Sequence, residues 1–186
     1  MKRFVQILCL LLITTVCGLS RSQSLSPLSQ ANSFDPFFNR YGQRFLAHIP
    51  QSQYWLSAQA KQESAYNPLA VSHAGAKGLM QTMDRTHAEI SHKLGIKCSQ
   101  FNAQCSILFG AYYDSVMYRT WDRRERTVNE ILPLMFGSYN IGTGGMLKAQ
   151  KRCFDARLWS GISPCLPEET RNYVPRIRNH FCKIRN

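Results

Sequence analysis

Between residues 103 and 118, Cys105, Leu108, Phe109, Tyr112 and Val116 recur with a 3.6-residue period. That spacing draws one apolar stripe along a helix. The period returns along most of the chain. Leu56, Ala60 and Glu63 share a face over residues 51–64, which Asn67-Pro68 closes, because the residue before a proline avoids helical backbone. A second helix is expected over 85–94, with Asp84 as its cap and Gly95 as its stop. Val128, Ile131, Leu132, Met135, Phe136 and Tyr139 line another over 128–139, with Pro133 near its first turn or kinking it. Gly142 to Gly145 breaks that pattern, and a short helix then runs to Cys153. Residues 154–167 read as a loop. The last helix, 168–181, turns Tyr173, Val174, Ile177 and Phe181 to one side. Alternation of the strand kind is weak and no internal repeat is visible. The stripes therefore predict a mainly α fold in one domain, and 186 residues at 44% hydrophobic content suffice for a core.

The N-terminus reads differently. Lys2 and Arg3 precede an apolar run from Val5 to Val16, and small residues follow around Gly18 and Ser20. Residues 1–22 are expected to be a secretory signal. The run is short for a membrane span, although an uncleaved anchor is the alternative. Val16 stands before Cys17 where a lipid-attachment signal wants a small residue, which argues against lipidation. Serine-rich residues open a stretch, 23–45, that is expected to be a flexible lead-in. The folded domain is expected over 46–182. These features point to the periplasm or another exported envelope location, with no stable membrane span after signal cleavage.

Net charge is +12. The signal removes Lys2, Arg3 and Arg21 and no acid, which leaves +9. Such an excess attracts polyanions. With an export signal, an anionic wall or membrane fits better than nucleic acid, and no nucleic-acid partner is expected. Five cysteines follow the signal: Cys98, Cys105, Cys153, Cys165 and Cys182. In an oxidising compartment they can form disulfides. Pairing does not follow from sequence, and five is an odd number. The short loops Cys98–Cys105 and Cys153–Cys165 are the pairings taken here. Spacings of seven and twelve residues without Cys-x-x-Cys disfavour zinc. His87 and His92 lack the His-Glu-x-x-His arrangement. Neither a metal nor another cofactor is expected.

Glu63 is the residue out of place. It shares its helical face with Leu56 and Ala60, so its carboxylate should point towards the core or a cleft. Desolvation disfavours the charged form and raises the pKa. A glutamate that keeps its proton near neutral pH can donate it to a leaving oxygen. Considered alone, a structural ion pair explains such a glutamate equally well.

The neighbours of Glu63 carry a resemblance. Glu63-Ser64, Asn67-Pro68, Ala70-Val71-Ser72 and Gly75-Ala76-Lys77-Gly78-Leu79-Met80-Gln81 stand in one register. Ser138-Tyr139-Asn140-Ile141-Gly142 and Glu169-Thr170-Arg171-Asn172-Tyr173-Val174 follow. Together these resemble the signature of soluble lytic transglycosylases, the goose-type-lysozyme-like family. That signature has Ala-Tyr-Asn-x-Gly where this chain has Ser138. Residues Ile107 to Tyr113 are similar to its Ile-x-x-Gly-x-x-Tyr-Leu helix, read with tyrosine for the leucine. The resemblance spans about residues 52–177 and implies a lysozyme-like α fold acting on peptidoglycan glycan strands.

It further implies that Glu63 protonates the β-1,4 link from N-acetylmuramic acid to N-acetylglucosamine. Glu63 then takes the proton of the muramic C6 hydroxyl, which closes on C1 to leave a 1,6-anhydro end. Glycosidases ordinarily use two carboxylates; none of these motifs supplies a second, and Asp84 and Glu89 lie on a helix that reads as solvated. By the same resemblance Ser72, Gly78, Met80, Gln81, Tyr139, Asn140 and Tyr173 contact or order the substrate. Core packing is the alternative for Met80, Tyr139 and Tyr173. Two other functions stay open: a hydrolytic muramidase of the same fold, and an inactive wall-binding component. Wall opening for a secretion or conjugation machine, whose components would then be partners, stands beside general wall turnover.

Overall fold

The computed structural model describes residues 33–122 and 125–185. The signal over 1–22 and most of the lead-in lie outside them. Seven helices carry the fold, and no strand occurs among the described residues. They are α1 (Asp35–Phe45), α2 (Ser52–Ser64), α3 (Asp84–Leu94), α4 (Ala103–Trp121), α5 (Val128–Arg152), α6 (Trp159–Ile162) and α7 (Glu168–Arg185).

α2 is the central element. From Trp55 to Ala60 it is buried on every side, because α1 and α7 both pack against it. Trp55 stacks on Phe181 of α7 with ring centroids 3.8 Å apart and planes 11° from parallel. Phe136 of α5 approaches the same indole at 5.8 Å. The four stripe residues of α7, Tyr173, Val174, Ile177 and Phe181, are all buried.

Four expectations are corrected by the packing. The lead-in does not extend to residue 45: Asp35–Phe45 is a helix whose Phe38, Tyr41 and Gly42 are buried. It packs against α2 and α4. The inner face of α4 is rotated from the one expected. Tyr112 and Val116 are half-buried, while Ile107, Ala111, Asp114, Ser115 and Tyr118 are buried. Asp84 is the first residue of α3 and makes no cap bond; it pairs instead with Lys77, 2.7 Å away. The expected loop over 154–167 contains α6 and a 3₁₀ turn, Ser163–Cys165.

Local signals act at the other boundaries. The Asn102 side chain accepts from the Cys105 amide and opens α4. Thr127 and Glu130 form a reciprocal capping box at the start of α5. α5 runs to Arg152 with a kink at Gly142, where φ is 78° and ψ 151°. Cys98–Cys105 and Cys153–Cys165 are disulfide-bonded, the two pairings taken from loop length. No helix among the described residues is long and apolar enough to cross a membrane.

Candidate active site

Glu63 sits in the last turn of α2, half-buried, where the helix emerges from the core. Ala65 and Tyr66 follow with left-handed backbone, φ 52° and 67°, and turn the chain into the loop 67–83. Ser64 ties helix to loop, its hydroxyl donating to the Leu79 carbonyl at 2.8 Å. The Tyr173 hydroxyl, delivered by α7 from 110 positions away, donates to Glu63 Oε1.

The loop is held from within. Ser72 Oγ accepts from the Ala76 amide at 3.0 Å, and Gln81 Nε2 donates to the carbonyls of Gly78 and Ala70 at 2.7 and 3.1 Å. Lys77 pairs through its backbone with Thr82, at 3.0 and 3.1 Å. Gly78 has φ +78°, and a Cβ there would lie 2.0 Å from the Gln100 carbonyl oxygen. Only glycine lets the loop pass Gln100 in that conformation.

The expected substrate contacts divide. Ser72, Gln81, Tyr139 and Asn140 are half-buried, and Tyr139 lies close enough to Glu63 to feel its charge. Tyr173 is buried, with its hydroxyl on the carboxyl. Gly78 is also buried. Met80 is corrected: its side chain is 0% exposed and fills a hollow that Gly110 leaves, where a Cβ would meet Met80 Cε at 2.8 Å. What Met80 offers the site is backbone. Its amide donates to Ser106 Oγ at 3.0 Å, and its carbonyl accepts from the Tyr139 hydroxyl at 2.7 Å. Asn140 Oδ1 accepts from Thr170 Oγ1 at 2.7 Å, joining α5 to α7. Ser138, the departure from the alanine of the family signature, accepts from Trp121 Nε1 at 2.7 Å.

Electrostatics single out Glu63. Burial pushes its carboxyl up to about 8 from an ordinary 4.5, the Tyr173 hydroxyl pulls it back down, and Glu169 adds an upward push. Glu63 is thus a protonated acid near neutral pH that still meets solvent. Burial, and then the Glu63 charge, also push the phenols of Tyr139 and Tyr173 well above their ordinary range. Both remain hydroxyl donors. Asp84 and Glu89 stay outside in exposed ion pairs with Lys77 and Arg85.

One acid escaped the sequence reading. Asp114 on α4 is 0% exposed and receives Gln59 Nε2 of α2 at 3.3 Å. Burial pushes it well above the carboxylate range, the Gln59 bond opposes this, and the Glu63 charge adds to it. Counted from Ile107, the tyrosine of the family's helix pattern is Tyr113 and its leucine position is Asp114. The departure in that helix is therefore an acid in an aliphatic place, not a tyrosine for leucine. The stripe Ile107, Ala111, Asp114, Tyr118 carries the signal, one step round the helix from the stripe chosen. Among the described residues no cluster of three or more His, Cys, Asp or Glu could hold a metal.

This geometry has relatives. The family described as "Transglycosylase SLT domain" matches residues 50–159, which contain Glu63, the loop and Tyr139-Asn140; Tyr173 lies beyond. The membrane-bound lytic murein transglycosylase F of Aliivibrio fischeri is 28% identical over 179 residues, covering 84% of this chain and 34% of that protein. Its namesake in Desulfosudis oleivorans is 32% identical over 116 residues, 60% of this chain and 24% of that one. The X-ray structure of an inactive mutant of lytic transglycosylase Slt from Pseudomonas aeruginosa superimposes with a TM-score of 0.65. It is 27% identical and covers 81% of this chain and 23% of that one. The 70 kDa soluble lytic transglycosylase of Escherichia coli, at 23% identity and a TM-score of 0.63, shares the fold. The chain spans about a third or less of the length of these proteins. With more than half of its length matched in register around Glu63, this mainly α chain belongs to the transglycosylase SLT domain family.

Proposed function

We propose that the chain is a peptidoglycan lytic transglycosylase that cleaves the β-1,4 bond between N-acetylmuramic acid and N-acetylglucosamine without water. The observation that carries this is Glu63: a carboxyl held protonated by burial, yet half-exposed at a helix end and touched by one phenol. In the first step Glu63 gives its proton to the glycosidic oxygen as the C1–O bond breaks. The resulting carboxylate keeps the Tyr173 hydroxyl as its donor, since hydrogen bonding to a charged form stabilises it. In the second step that carboxylate takes the proton of the muramic C6 hydroxyl while the C6 oxygen bonds C1. The proton count balances, and Glu63 returns to its acid form. A single group that alternates between acid and base suits a pKa of about 8, because a shuttle works best near ambient pH.

The other roles belong to the same proposal. Ser72, whose oxygen already accepts from Ala76, has a hydroxyl proton to offer sugar. Gln81 and Gly78 hold the loop wall. Tyr139, held on the Met80 carbonyl, and Asn140, held on Thr170, contact or order the glycan from α5. The family relation and the names of the relatives support peptidoglycan as substrate.

The test is digestion of purified sacculi by parent protein and Glu63→Gln, with products weighed by mass spectrometry. Anhydro ends, lighter by one water than hydrolysis products, are expected from the parent and none from the variant. Hydrated ends would assign the hydrolytic muramidase instead. No cleavage by the parent would leave the wall-binding role.

The finer setting is also proposed: export to the envelope and wall opening for a secretion or conjugation system. An apolar leader pattern and a net charge of +12 support the envelope location. Cell fractionation tests it, and recovery of the protein in the cytosol would refute it. Loss of machine assembly on deleting the gene, without a change in general wall turnover, is the outcome expected for the specialised role.

A further inference from the structure

Below the acid site two buried polar atoms lack a hydrogen-bond partner, Gln59 Oε1 and Asp114 Oδ2. They belong to side chains that are already joined through their other atoms, Gln59 Nε2 donating to Asp114 Oδ1 at 3.3 Å. Both residues are 0% exposed, so water does not make up the deficit at the surface. An amide oxygen and a carboxylate oxygen are both acceptors, and with Asp114 ionised neither can satisfy the other. Leaving such atoms unmet carries the full desolvation penalty of each group. A proton on Asp114 Oδ2 makes that atom a donor. The acceptor it needs is the oxygen of the amide whose nitrogen already binds the same carboxyl. The two orphans are then the two ends of one bond.

The surroundings agree. Asp114 is acted on by Glu63 and Gln59 of α2. It acts in turn on Tyr113 of its own helix, Tyr139 of α5 and Tyr173 of α7. None of these groups is a cation. Burial disfavours the charge further. A buried acid kept neutral so that it can donate is an established chemical arrangement, and an acid at a place where the family's helix pattern has leucine is tolerable in that form.

We propose that Asp114 is carried as a neutral carboxylic acid closed onto the Gln59 amide in a ring of two hydrogen bonds, and that this ring positions Glu63. Gln59 precedes Glu63 by one helical turn, so fixing the Gln59 side chain against α4 fixes the turn of α2 that aims the acid. Being uncharged, the ring does this without placing a second negative charge beneath Glu63 when Glu63 itself becomes a carboxylate. The positioning role rests on the reading of Glu63 as the proton donor; the ring does not.

Infrared difference spectroscopy near neutral pH tests the ring. Glu63→Gln is compared with Glu63→Gln/Asp114→Asn, so that the acid band of Glu63 is removed from both. A protonated carboxyl C=O band in the first that vanishes in the second is expected; its absence from the first overturns the proposal. Kinetics test the positioning. Asp114→Ala should lower kcat by about tenfold or more with KM little changed, the signature of a misaimed acid. Asp114→Asn should recover most of that loss, because its amide N–H replaces the acid O–H in the same ring. Equal loss in both variants would refute the positioning role. Should Asp114→Ala fail to fold, the infrared band and the Asn variant still decide. Cleavage that survives Glu63→Gln would remove the acid reading and leave the ring to the infrared result.

Discussion

Replacing Glu63 by glutamine separates the acid from its burial, and thermal stability then reports the cost of the buried charge. The amide matches the carboxyl in size and can still accept from Tyr173. Moving a carboxyl from 4.5 to about 8 is worth, at 1.36 kcal/mol per pH unit, a ceiling of about 5 kcal/mol. Glu63 is only half-buried, and solvent screening reduces that to a working figure of about 1–3 kcal/mol. The sign follows from linkage. The folded pKa lies above the unfolded one, so the folded protein binds the extra proton and loses stability as pH rises from about 4.5 to about 8. The glutamine variant has no such proton. Variant and parent should melt together near pH 4, and the variant should become the more stable as pH rises, levelling above about pH 8. At about 2–4 °C per kcal/mol for a chain of this size, the gap should reach about 2–12 °C. Circular dichroism melts across that pH series measure it. A gap that stays constant, or shrinks with pH, would show that Glu63 is ionised in the folded protein and would end its candidacy as the acid. Activity on sacculi should meanwhile fall by about 10²–10⁴-fold in the variant.

Tyr173→Phe removes the donor on Glu63, so the alkaline limb of the pH–rate profile should move upward. Its kcat should fall by about 10–10²-fold, the value of a lost hydrogen bond to a charge; an unmoved limb would disconnect Tyr173 from the acid. Gly78→Ala combines left-handed backbone with a Cβ 2.0 Å from the Gln100 oxygen and should cost about 2–5 kcal/mol in a denaturant titration. Reducing Cys98–Cys105 and Cys153–Cys165, whose partners are 7 and 12 positions apart, should lower stability by about 2–3 kcal/mol for each loop. Non-reducing peptide mapping should recover both pairs. Binding to sacculi should weaken as salt rises to about 0.5 M, while turnover of a neutral glycan fragment changes little; salt-independent binding would leave the basic surface without a targeting role.

Helix identity was legible because it is a local property. The stripe Tyr173, Val174, Ile177, Phe181 and the placing of Glu63 with Leu56 and Ala60 follow from a period of 3.6 residues alone. α1 carries a 3.6-residue stripe of its own, Phe34, Phe37, Phe38, Tyr41 and Phe45, which the serine-rich run before it obscured; packing on α2 and α4 buries Phe38, Tyr41 and Gly42 of this helix. In the loop 75–81 no period exists, so nothing in the chain tells that Met80 turns into the core while Gln81 does not. The space left by Gly110 decides it. On α4 the apolar residues nearly circle the helix, and the choice of inner face fell to the neighbours, which took in Asp114 and left Tyr112 half-exposed. The hydrogen bond that tunes the acid joins Glu63 to Tyr173 across 110 positions, and the buried pair Gln59 and Asp114 meets across 55. A sequence can show that a glutamate lies on an inner face. The pKa it acquires there is a property of what surrounds it, because desolvation and hydrogen bonding act through space, and only the folded chain brings those groups together.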